Sequence, residues 1–567
     1  MKASVASFLR GARRLAVAVA AAIIFYAATN DVAAQSQAPR TVEPGQIERR
    51  IQRKPETPAP TAPIAPALRS PETAPETPDA GADFVLSAVS ISGVTAYDLA
   101  ELAPLYERFL GRVVSTADIQ GIVKAVTKKY TDDGYFLSSA SAPPQNLAFG
   151  ILTIEVKEGY VEKVVFKGDR PGRQDLFDAW AEAITQSVPA RLQDVERYVL
   201  LMGDLPGVVA TPSLDDPPGN EPGYTMTIAV RHDPVDAGFN LDNRGTYPVG
   251  PLEASFAVGL NSVAGQLERT RFSAFTIPDE PDELIYGEIY EQLPLGTGGT
   301  IVWGSISRSK VDIYSQSRAS QLQSTGDRIS LGFWHPLVRR QELALYANGR
   351  LDYANSRQSA INDDFNDRLR VARAGVRLWF KDGAEGTNNI NVEWSKGLDV
   401  LNASPLGYQV SRTDGESDFD KITLDVNRIQ KITEDFWAEL NGRGQYSEHV
   451  LLSGEEFALG GSRFGRGYDP SEISDSRGVA GALEFRHRFP VKEGLLSNLW
   501  LYAFYDAGAV WRTDSSRDSI VSAGGGLRLF PWDGAVASVE IAKPMTRTVS
   551  EEGNTQPRLF FNIGLNF

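Results

Sequence analysis

Short segments in which apolar and polar residues alternate dominate the C-terminal part of the chain. They repeat from 236 to 567, and candidate strands begin near 236, 251, 268, 284, 299, 326, 342, 368, 388, 418, 434, 477, 498, 520, 534 and 558. A period of two is typical of strands whose two faces meet different surroundings. Sixteen such segments, without a convincing long amphipathic helix, predict an antiparallel transmembrane β-barrel over 235–567.

The clearest alternation lies at the end of the chain. Every second residue from Leu559 to Phe567 is apolar, and in 498–508 the apolar set includes Leu499 and Leu501, whereas Asp506 falls on the opposite face. Short connections (294–298, 336–341, 381–387, 429–433, 531–533) alternate with longer ones (310–325, 354–367, 400–417, 447–476, 509–519, 544–557). With both termini in the periplasm, 447–476 is the sixth outer loop. The alternative is a soluble β-protein such as a propeller, but no blade repeat is present.

A different pattern occupies 83–234, where a strand–helix–helix–strand–strand order occurs twice. The first unit, 83–158, combines strands at 84–92, 137–142 and 149–157 with helical stretches at 96–110 and 115–132. The second unit, 159–234, combines strands at 160–167, 208–214 and 224–231 with helices around 176–184 and 192–202. The repeat predicts two small α/β domains. Their open sheet edges could add a strand from an extended polypeptide, or the domains could be spacers.

The N-terminus has the pattern of an export signal. Basic residues between Lys2 and Arg14 precede an apolar run at 15–28, and the small residues Val32 and Ala34 fit cleavage after Ala34. We therefore expect a signal peptide at 1–34, with an uncleaved anchor helix as the alternative. Since no other run of about 18 apolar residues exists, a bilayer span requires the barrel.

The segment 35–82 is expected to be a linker. It holds ten prolines between Pro39 and Pro78, a composition that favours extended conformations over a packed core. A short helix is possible at 44–53; linker throughout is the alternative.

The amino-acid composition argues against several classes of function. The formal charge of −15 argues against a nucleic-acid binder, which carries basic patches. Without cysteine there are no disulfides, thiol nucleophiles or cysteine-bound metals, and the four histidines are scattered in sequence. No catalytic constellation, metal site or nucleotide-binding motif is present, so we predict neither an enzyme nor a cofactor. The mean hydropathy of −0.23 is compatible with a barrel, because lipid-facing and lumenal residues average out.

Two short motifs stand out in the predicted barrel. Gly465, Arg466, Gly467 and Tyr468 lie in the sixth outer loop. Phe504, Asp506 and Gly508 form a Phe-x-Asp-x-Gly pattern in the thirteenth strand. Together with two α/β domains and a barrel ending in Phe567, they make the chain resemble the two-partner secretion translocators (TpsB proteins). This family includes the haemolysin secretion/activation proteins and the filamentous-haemagglutinin translocator, and belongs to the BamA-related superfamily. The family pattern has an aliphatic residue where Gly465 stands.

The resemblance implies that the α/β units are polypeptide-transport-associated (POTRA) domains in the periplasm. It also implies that the sixth loop folds back into the barrel, that Arg466 pairs with Asp506, and that the 44–53 helix plugs the barrel. The alternation of its strand places the Asp506 side chain on the lumenal face, which agrees with this pairing, since a buried carboxylate needs a partner. Glycines at 465 and 467 would permit a tight turn.

The function implied is export of an unfolded exoprotein across the outer membrane. The expected partners are a TpsA-like secreted protein with an N-terminal secretion domain, outer-membrane lipid, and the barrel assembly machinery for insertion; the translocator is expected to be a monomer. A BamA-type insertase is the first alternative, although it usually has more POTRA domains. A passive porin or an outer-membrane enzyme is the second. The sequence does not identify the exported partner, for which the neighbouring gene would be the most informative observation.

Overall fold

The computed structural model describes residues 84–217, 221–247, 249–315, 320–359, 364–407, 409–491, 498–511 and 516–567. The predicted signal peptide, the proline-rich linker and the helix at 44–53 lie outside the described residues. None of the described helices is long and apolar enough to cross a membrane.

The first α/β module is built around a three-stranded sheet. Its elements are β1 (Phe84–Val85), β2 (Ala88–Ser92), α1 (Leu99–Leu102), β3 (Val113–Val114), α2 (Thr116–Asp132), β4 (Ser139–Ser141) and β5 (Ile151–Lys157). The sheet has the order β2–β5–β4, with β2 and β5 parallel. Helix α2 begins after its N-cap Ser115, whose hydroxyl accepts a hydrogen bond from the backbone of Asp118. The apolar face of α2, including Ile119, Ile122 and Val126, is buried in the module core.

Two predictions for this module need correction. The helix expected at 96–110 is only one α-helical turn followed by 3₁₀ turns at Ala103–Leu105 and Glu107–Phe109. Pro104 lies at the start of the first 3₁₀ turn, and without an amide hydrogen it cannot continue the α-helical ladder. The strand expected at 84–92 is also interrupted, because the chain leaves β1 at the buried Leu86 before entering β2.

The second module repeats the arrangement with two regular helices. Its elements are β6 (Tyr160–Gly168), α3 (Gln174–Thr185), α4 (Leu192–Gly203), β7 (Val208–Asp215) and β8 (Gly223–His232). The sheet order is β6–β8–β7, again with a parallel pair, β6 and β8. Both helices pack onto the sheet through buried apolar residues, among them Phe177, Trp180, Val199 and Met202.

Sixteen strands close into an antiparallel barrel, which confirms the predicted fold class. They are β9 (Val235–Asp242), β10 (Glu253–Asn261), β11 (Arg269–Thr276), β12 (Leu284–Leu295), β13 (Thr300–Ser315), β14 (Ser320–Arg339), β15 (Leu343–Ser359), β16 (Phe365–Lys381), β17 (Gly386–Gly397), β18 (Asp420–Lys431), β19 (Phe436–Ser447), β22 (Arg477–Pro490), β23 (Asn498–Trp511), β24 (Arg517–Phe530), β25 (Ala535–Pro544) and β26 (Arg558–Asn566). Two short strands inside the sixth outer loop are β20 (Phe457–Leu459) and β21 (Ile473–Asp475). Closure joins β26 to β9.

Two of the expected outer loops are largely strand. The pair β13–β14 continues to the pairing of Ser315 with Ser320, and β15 and β16 extend across most of 354–367. The outer parts of these strands are polar on the face away from the lumen, where Arg308 and Asp327 stand opposite each other. The outward apolar face therefore ends while the hydrogen-bonded ladder continues, so the lipid-facing pattern placed the strand ends too early.

A buried ion pair joins the second module to the barrel. The Arg339 guanidinium, at the periplasmic end of β14, donates from Nε and Nη2 to the two carboxylate oxygens of Asp204 at 2.8 and 2.6 Å. Both side chains are almost completely excluded from solvent. Because a buried charge that loses its partner is strongly destabilising, this bidentate pair fixes how the end of α4 meets the barrel.

Two further contacts strengthen this junction. The indole nitrogen of Trp180 donates to the carbonyl oxygen of Thr297 in the β12–β13 turn at 2.7 Å. Glu196 in α4 accepts a hydrogen bond from the backbone of Gln341, in the turn between β14 and β15. Burial raises the pKa of Glu196, although this hydrogen bond favours its charged form. The second module is thus anchored to two neighbouring periplasmic turns, at the entrance of the barrel.

Candidate functional site

The sixth outer loop, 448–476 between β19 and β22, folds into the barrel. It contains a 3₁₀ turn at Ser453–Glu455 and the hairpin of β20 and β21. Apolar residues from the loop, from the inner barrel wall and from the β25–β26 connection form one buried cluster: Phe457, Leu459, Phe464, Tyr468, Ile473, Ala480, Ala482, Val510, Ile520 and Val549. This core gives the loop a fixed position inside the barrel.

The tip of the loop is held by Arg466. Its Nε and Nη2 each donate to one carboxylate oxygen of Asp506 in β23 at 3.0 Å, and its backbone N–H donates to the same carboxylate, also at 3.0 Å. Its Nη1 donates to Glu484 in β22 at 2.6 Å. Asp506 is 0% exposed, so its charge depends on these donors and on a longer bond of 3.3 Å from the Ser522 hydroxyl.

The other two residues of the β23 motif also contact the loop. The guanidinium carbon of Arg466 lies 3.5 Å from the centre of the Phe504 ring, the geometry of a cation–π contact. A Cβ at Gly508 would lie 2.6 Å from a methyl group of Leu459, so glycine leaves room for the loop to dock. Because these residues occupy every second position of β23, all three motif positions lie on the lumenal face of the strand.

The glycines of the loop motif have separate steric reasons. Gly465 adopts a φ of 83°, which favours glycine, and a Cβ there would lie 2.4 Å from Ile520. A Cβ at Gly467 would lie 2.7 Å from the backbone nitrogen of Pro544 at the end of β25. The loop tip therefore approaches the barrel wall more closely than a side chain at 467 would permit.

Tyr468 links the loop to the outer ends of two strands. Its hydroxyl donates to the carbonyl oxygen of Val521 at 3.1 Å, and accepts from the backbone N–H groups of Thr546 and Arg547 at 3.2 and 3.3 Å. The ring is fully buried. The structure thus brings together all seven predicted residues of the loop and β23 motifs.

Several charged residues around Arg466 and Asp506 were not predicted from the sequence. Glu484 also accepts from Arg528 at 2.8 Å, and Glu540 in β25 accepts from Arg244 at 2.6 Å and from the Tyr502 hydroxyl at 2.9 Å. They lie on four strands and one loop separated by tens to hundreds of residues. The only local signal was a charged residue on the lumenal parity of a strand, and many strands share that feature.

A second ionic cluster fixes the base of the loop. Glu455 accepts from Arg373 in β16 at 2.5 Å and forms an ion pair with Lys421 in β18. Arg373 also donates to Asp352 in β15 at 2.7 Å. All four side chains are buried. The loop is therefore held at two places, its base near β15–β18 and its tip near β22–β25.

Beside the docked loop lies a lumenal cavity of about 1510 Å³. Its lining includes charged residues from around the barrel, among them Arg271, Glu288, Arg328, Glu393 and Arg443. Apolar side chains such as Trp303 and Trp334 also line the cavity, so the lumen beside the loop is polar in part. The described residues contain no group of three or more His, Asp or Glu that could hold a metal ion.

The C-terminal residue lies at the barrel seam. Phe567 and Ala237 in β9 exchange two backbone hydrogen bonds of 2.9 and 3.2 Å. The Phe567 side chain is exposed on the outer surface, as the alternation of the last strand predicted.

Comparison with known proteins identifies the family to which this architecture belongs. The family model described as haemolysin secretion/activation protein ShlB/FhaC/HecB matches residues 227–529. The chain belongs to this family. The model of the ShlB-type POTRA domain matches residues 84–159 of the same chain. The family resemblance inferred from the motifs is thereby confirmed, and the ShlB/FhaC/HecB barrel is located in the outer membrane with its POTRA domains in the periplasm.

Curated relatives match most of the chain. The outer membrane transporter CdiB of Dickeya dadantii (strain 3937) is 24% identical over 482 residues, covering 79% of this chain and 80% of that protein. The heme/hemopexin transporter protein HuxB of Haemophilus influenzae (strain ATCC 51907 / DSM 11121 / KW20 / Rd) is 20% identical over 475 residues, covering 80% and 82%.

Solved structures agree on the fold. CdiB from Escherichia coli superposes with a TM-score of 0.71 at 20% identity, covering 89% of this chain and 94% of that one. CdiB from Acinetobacter baumannii gives a TM-score of 0.62 at 14% identity, covering 92% and 96%.

Proposed function

We propose that this chain is the outer-membrane translocator of a two-partner secretion system, which receives an unfolded exoprotein in the periplasm and exports it through its barrel. The observation that carries the proposal is the match to the ShlB/FhaC/HecB family over a sixteen-stranded barrel, preceded by two α/β modules. The curated relatives named above are transporters, which favours export over assembly of other barrels and over catalysis.

Reception of the exoprotein is assigned to the two modules. The outer strands of their sheets, β2 and β4 in the first and β6 and β7 in the second, can each pair with an extended chain on one side. In β7, Pro212 removes one backbone donor and weakens that edge. Since the Asp204–Arg339 pair anchors the second module at the barrel entrance, a segment bound there lies next to the lumen.

The latch formed by the two motifs is assigned a positioning role in export. It consists of Gly465, Arg466, Gly467, Tyr468, Phe504, Asp506 and Gly508. The docked loop occupies part of the lumen, so its position decides how much of the barrel the exported chain can use. Because the tip is held by a few strong contacts and an apolar cluster, docking is a discrete state, and its loss changes the lumen as a whole.

The remaining assignments are proposals that rest on the sequence pattern and the family resemblance. We assign a signal peptide to 1–34, a linker to 35–82, POTRA-like domains to 83–158 and 159–234, and the barrel to 235–567. The C-terminal strand with Phe567 is the segment we expect the barrel assembly machinery to recognise. In the membrane, the closed barrel is expected to act as a monomer in contact with outer-membrane lipid.

A secretion assay tests the proposal. A candidate exoprotein with an N-terminal secretion domain, sought first in the neighbouring gene, is co-expressed with this chain in a host lacking both. The exported protein is measured in medium and periplasm by immunoblot. We expect release only with the full chain, and periplasmic retention when residues 84–158 are deleted. Equal release without the chain would refute the proposal. A general loss of outer-membrane proteins on depletion would point to an insertase instead.

A further inference from the structure

A group of basic side chains lies on the outer face of the barrel, away from the lumen and the docked loop. Arg308, Lys310, Arg357 and Arg368 lie near the outer ends of β13, β15 and β16, and are called here the basic patch. Strand register places them in two adjacent rows: Arg308, Asp327, Asn355 and Arg368 in one, and Lys310, Thr325, Arg357 and Asn366 in the next. Neighbouring strands are about 4.8 Å apart, so the patch spans about 14 Å across four strands.

The height of the patch corresponds to the edge of the bilayer. On β14 the residues facing outward below it include Leu337, Phe333, Leu331 and Ile329, all exposed. At about 3.4 Å per residue and a tilt of about 40°, the path from 337 to 329 rises about 21 Å along the barrel axis. An outer-membrane barrel has an apolar band of about 25 Å. The basic patch therefore begins where this band ends.

Three of the four side chains, Arg308, Lys310 and Arg357, are exposed to a ligand, whereas Arg368 is half-buried. Arg308 pairs with Asp327 at 3.4 Å, but these side chains are 71% and 53% exposed. Lys310, 53% exposed, lies 3.7 Å from Asp312. Exposed pairs of this kind are weak and exchange readily for a better acceptor. Four basic residues against three acidic ones, Asp312, Asp327 and Asp364, leave a small local positive excess on a chain whose formal charge is −15.

We propose that the basic patch binds a phosphorylated headgroup of an outer-leaflet lipid. Guanidinium groups bind phosphate oxygens in a bidentate manner, and two rows of basic side chains could bind more than one phosphate group. Directly below the patch, Ile306, Ile329 and Leu351 are exposed apolar residues that can receive acyl chains. The inference goes beyond the proposed function, since it concerns the lipid around the barrel and not the exported chain.

Lipid retention by the purified full-length protein tests this inference. The variant Arg308→Gln/Lys310→Gln/Arg357→Gln is compared with wild type by native mass spectrometry, with bis-phosphorylated lipid A as the probe. We expect at least tenfold weaker retention by the variant. Dephosphorylated lipid A should bind weakly to both proteins, and added salt should weaken binding of the phosphorylated probe. Heat-modifiable gel mobility verifies that each barrel is folded.

Two further variants sharpen the test. Lys128→Gln/Arg231→Gln removes equally exposed charges from the modules and should retain lipid A as wild type does. Asp327→Asn increases the positive excess and should strengthen retention severalfold, which a merely structural patch would not do. Retention by the triple variant within twofold of wild type would overturn the inference. Equal binding of both lipids, or complete competition by inorganic phosphate, would overturn it as well.

Discussion

Replacing Arg466 by alanine should release the tip of the sixth loop. The substitution removes three side-chain hydrogen bonds, two to Asp506 and one to Glu484, and the contact with Phe504. Glu484 keeps other cationic partners, whereas Asp506 is left buried with the loop backbone and Ser522 as donors. Breaking a buried pair from one side costs about 3–5 kcal/mol. The docked state should therefore lose about 100- to 4000-fold in population relative to the undocked one.

The assay is limited proteolysis of the sixth loop in the purified protein, read together with export of the partner. We expect the Arg466→Ala loop to be cleaved much faster than wild type and export to fall, while the barrel keeps its heat-modifiable mobility and its membrane location. Asp506→Asn should resemble it, and the double variant should cost less than the sum of the two, because both remove one interaction.

A matched control lies three residues earlier in the same loop. Arg463 also pairs with a barrel carboxylate, Asp425 at 3.1 Å, but its side chain is 50% exposed. Arg463→Ala should cost about 0–1 kcal/mol and leave cleavage and export near wild type. If the sixth loop of the Arg466→Ala variant resists cleavage as well as that of the Arg463→Ala variant, the role assigned to Arg466 is wrong. Normal export of the partner by the Arg466→Ala variant would contradict it as well.

Three other substitutions test separate contacts. Gly467→Ala should undock the loop, because its Cβ would contact the backbone of β25, whereas Gly383→Ala has open space and should behave as wild type in the same proteolysis assay. Tyr468→Phe should weaken docking by about 1–3 kcal/mol, since buried backbone groups lose their partner; unchanged cleavage would contradict this. Asp204→Asn should loosen the second module from Arg339 by about 3–5 kcal/mol and speed proteolysis between module and barrel, without altering heat-modifiable mobility.

The barrel could be predicted from sequence because its signal is local. In a strand, successive side chains face opposite sides, so the alternation around Leu559 or Leu501 reports a face whatever the partner strand. The same parity placed Asp506 in the lumen. The prediction failed at the outer ends of β13–β16, where the outward face becomes polar and apolar residues such as Val311 and Ile313 face inward instead. It also failed at Pro104, where 3₁₀ turns replace the expected helix.

The site could be predicted only in part. The motif around Arg466 and the one around Asp506 are continuous in sequence, and the family resemblance joined them into a pair. Nothing local joined Glu540 to Arg244, which are 296 residues apart, or Asp204 to Arg339, which are 135 apart. A charged residue on a lumenal or exposed face has many potential partners in the sequence, and register and loop position select one.

The sequence alone therefore determined the order of elements, the sixteen strands, the inward face of Asp506 and the two motifs. Tertiary structure decided that the sixth loop docks at both its tip and its base, that the second module is anchored by Arg339, and that basic side chains from three strands form one patch. The reason is physical: side-chain alternation is a property of each strand, whereas barrel closure and register bring together groups that the chain keeps hundreds of residues apart.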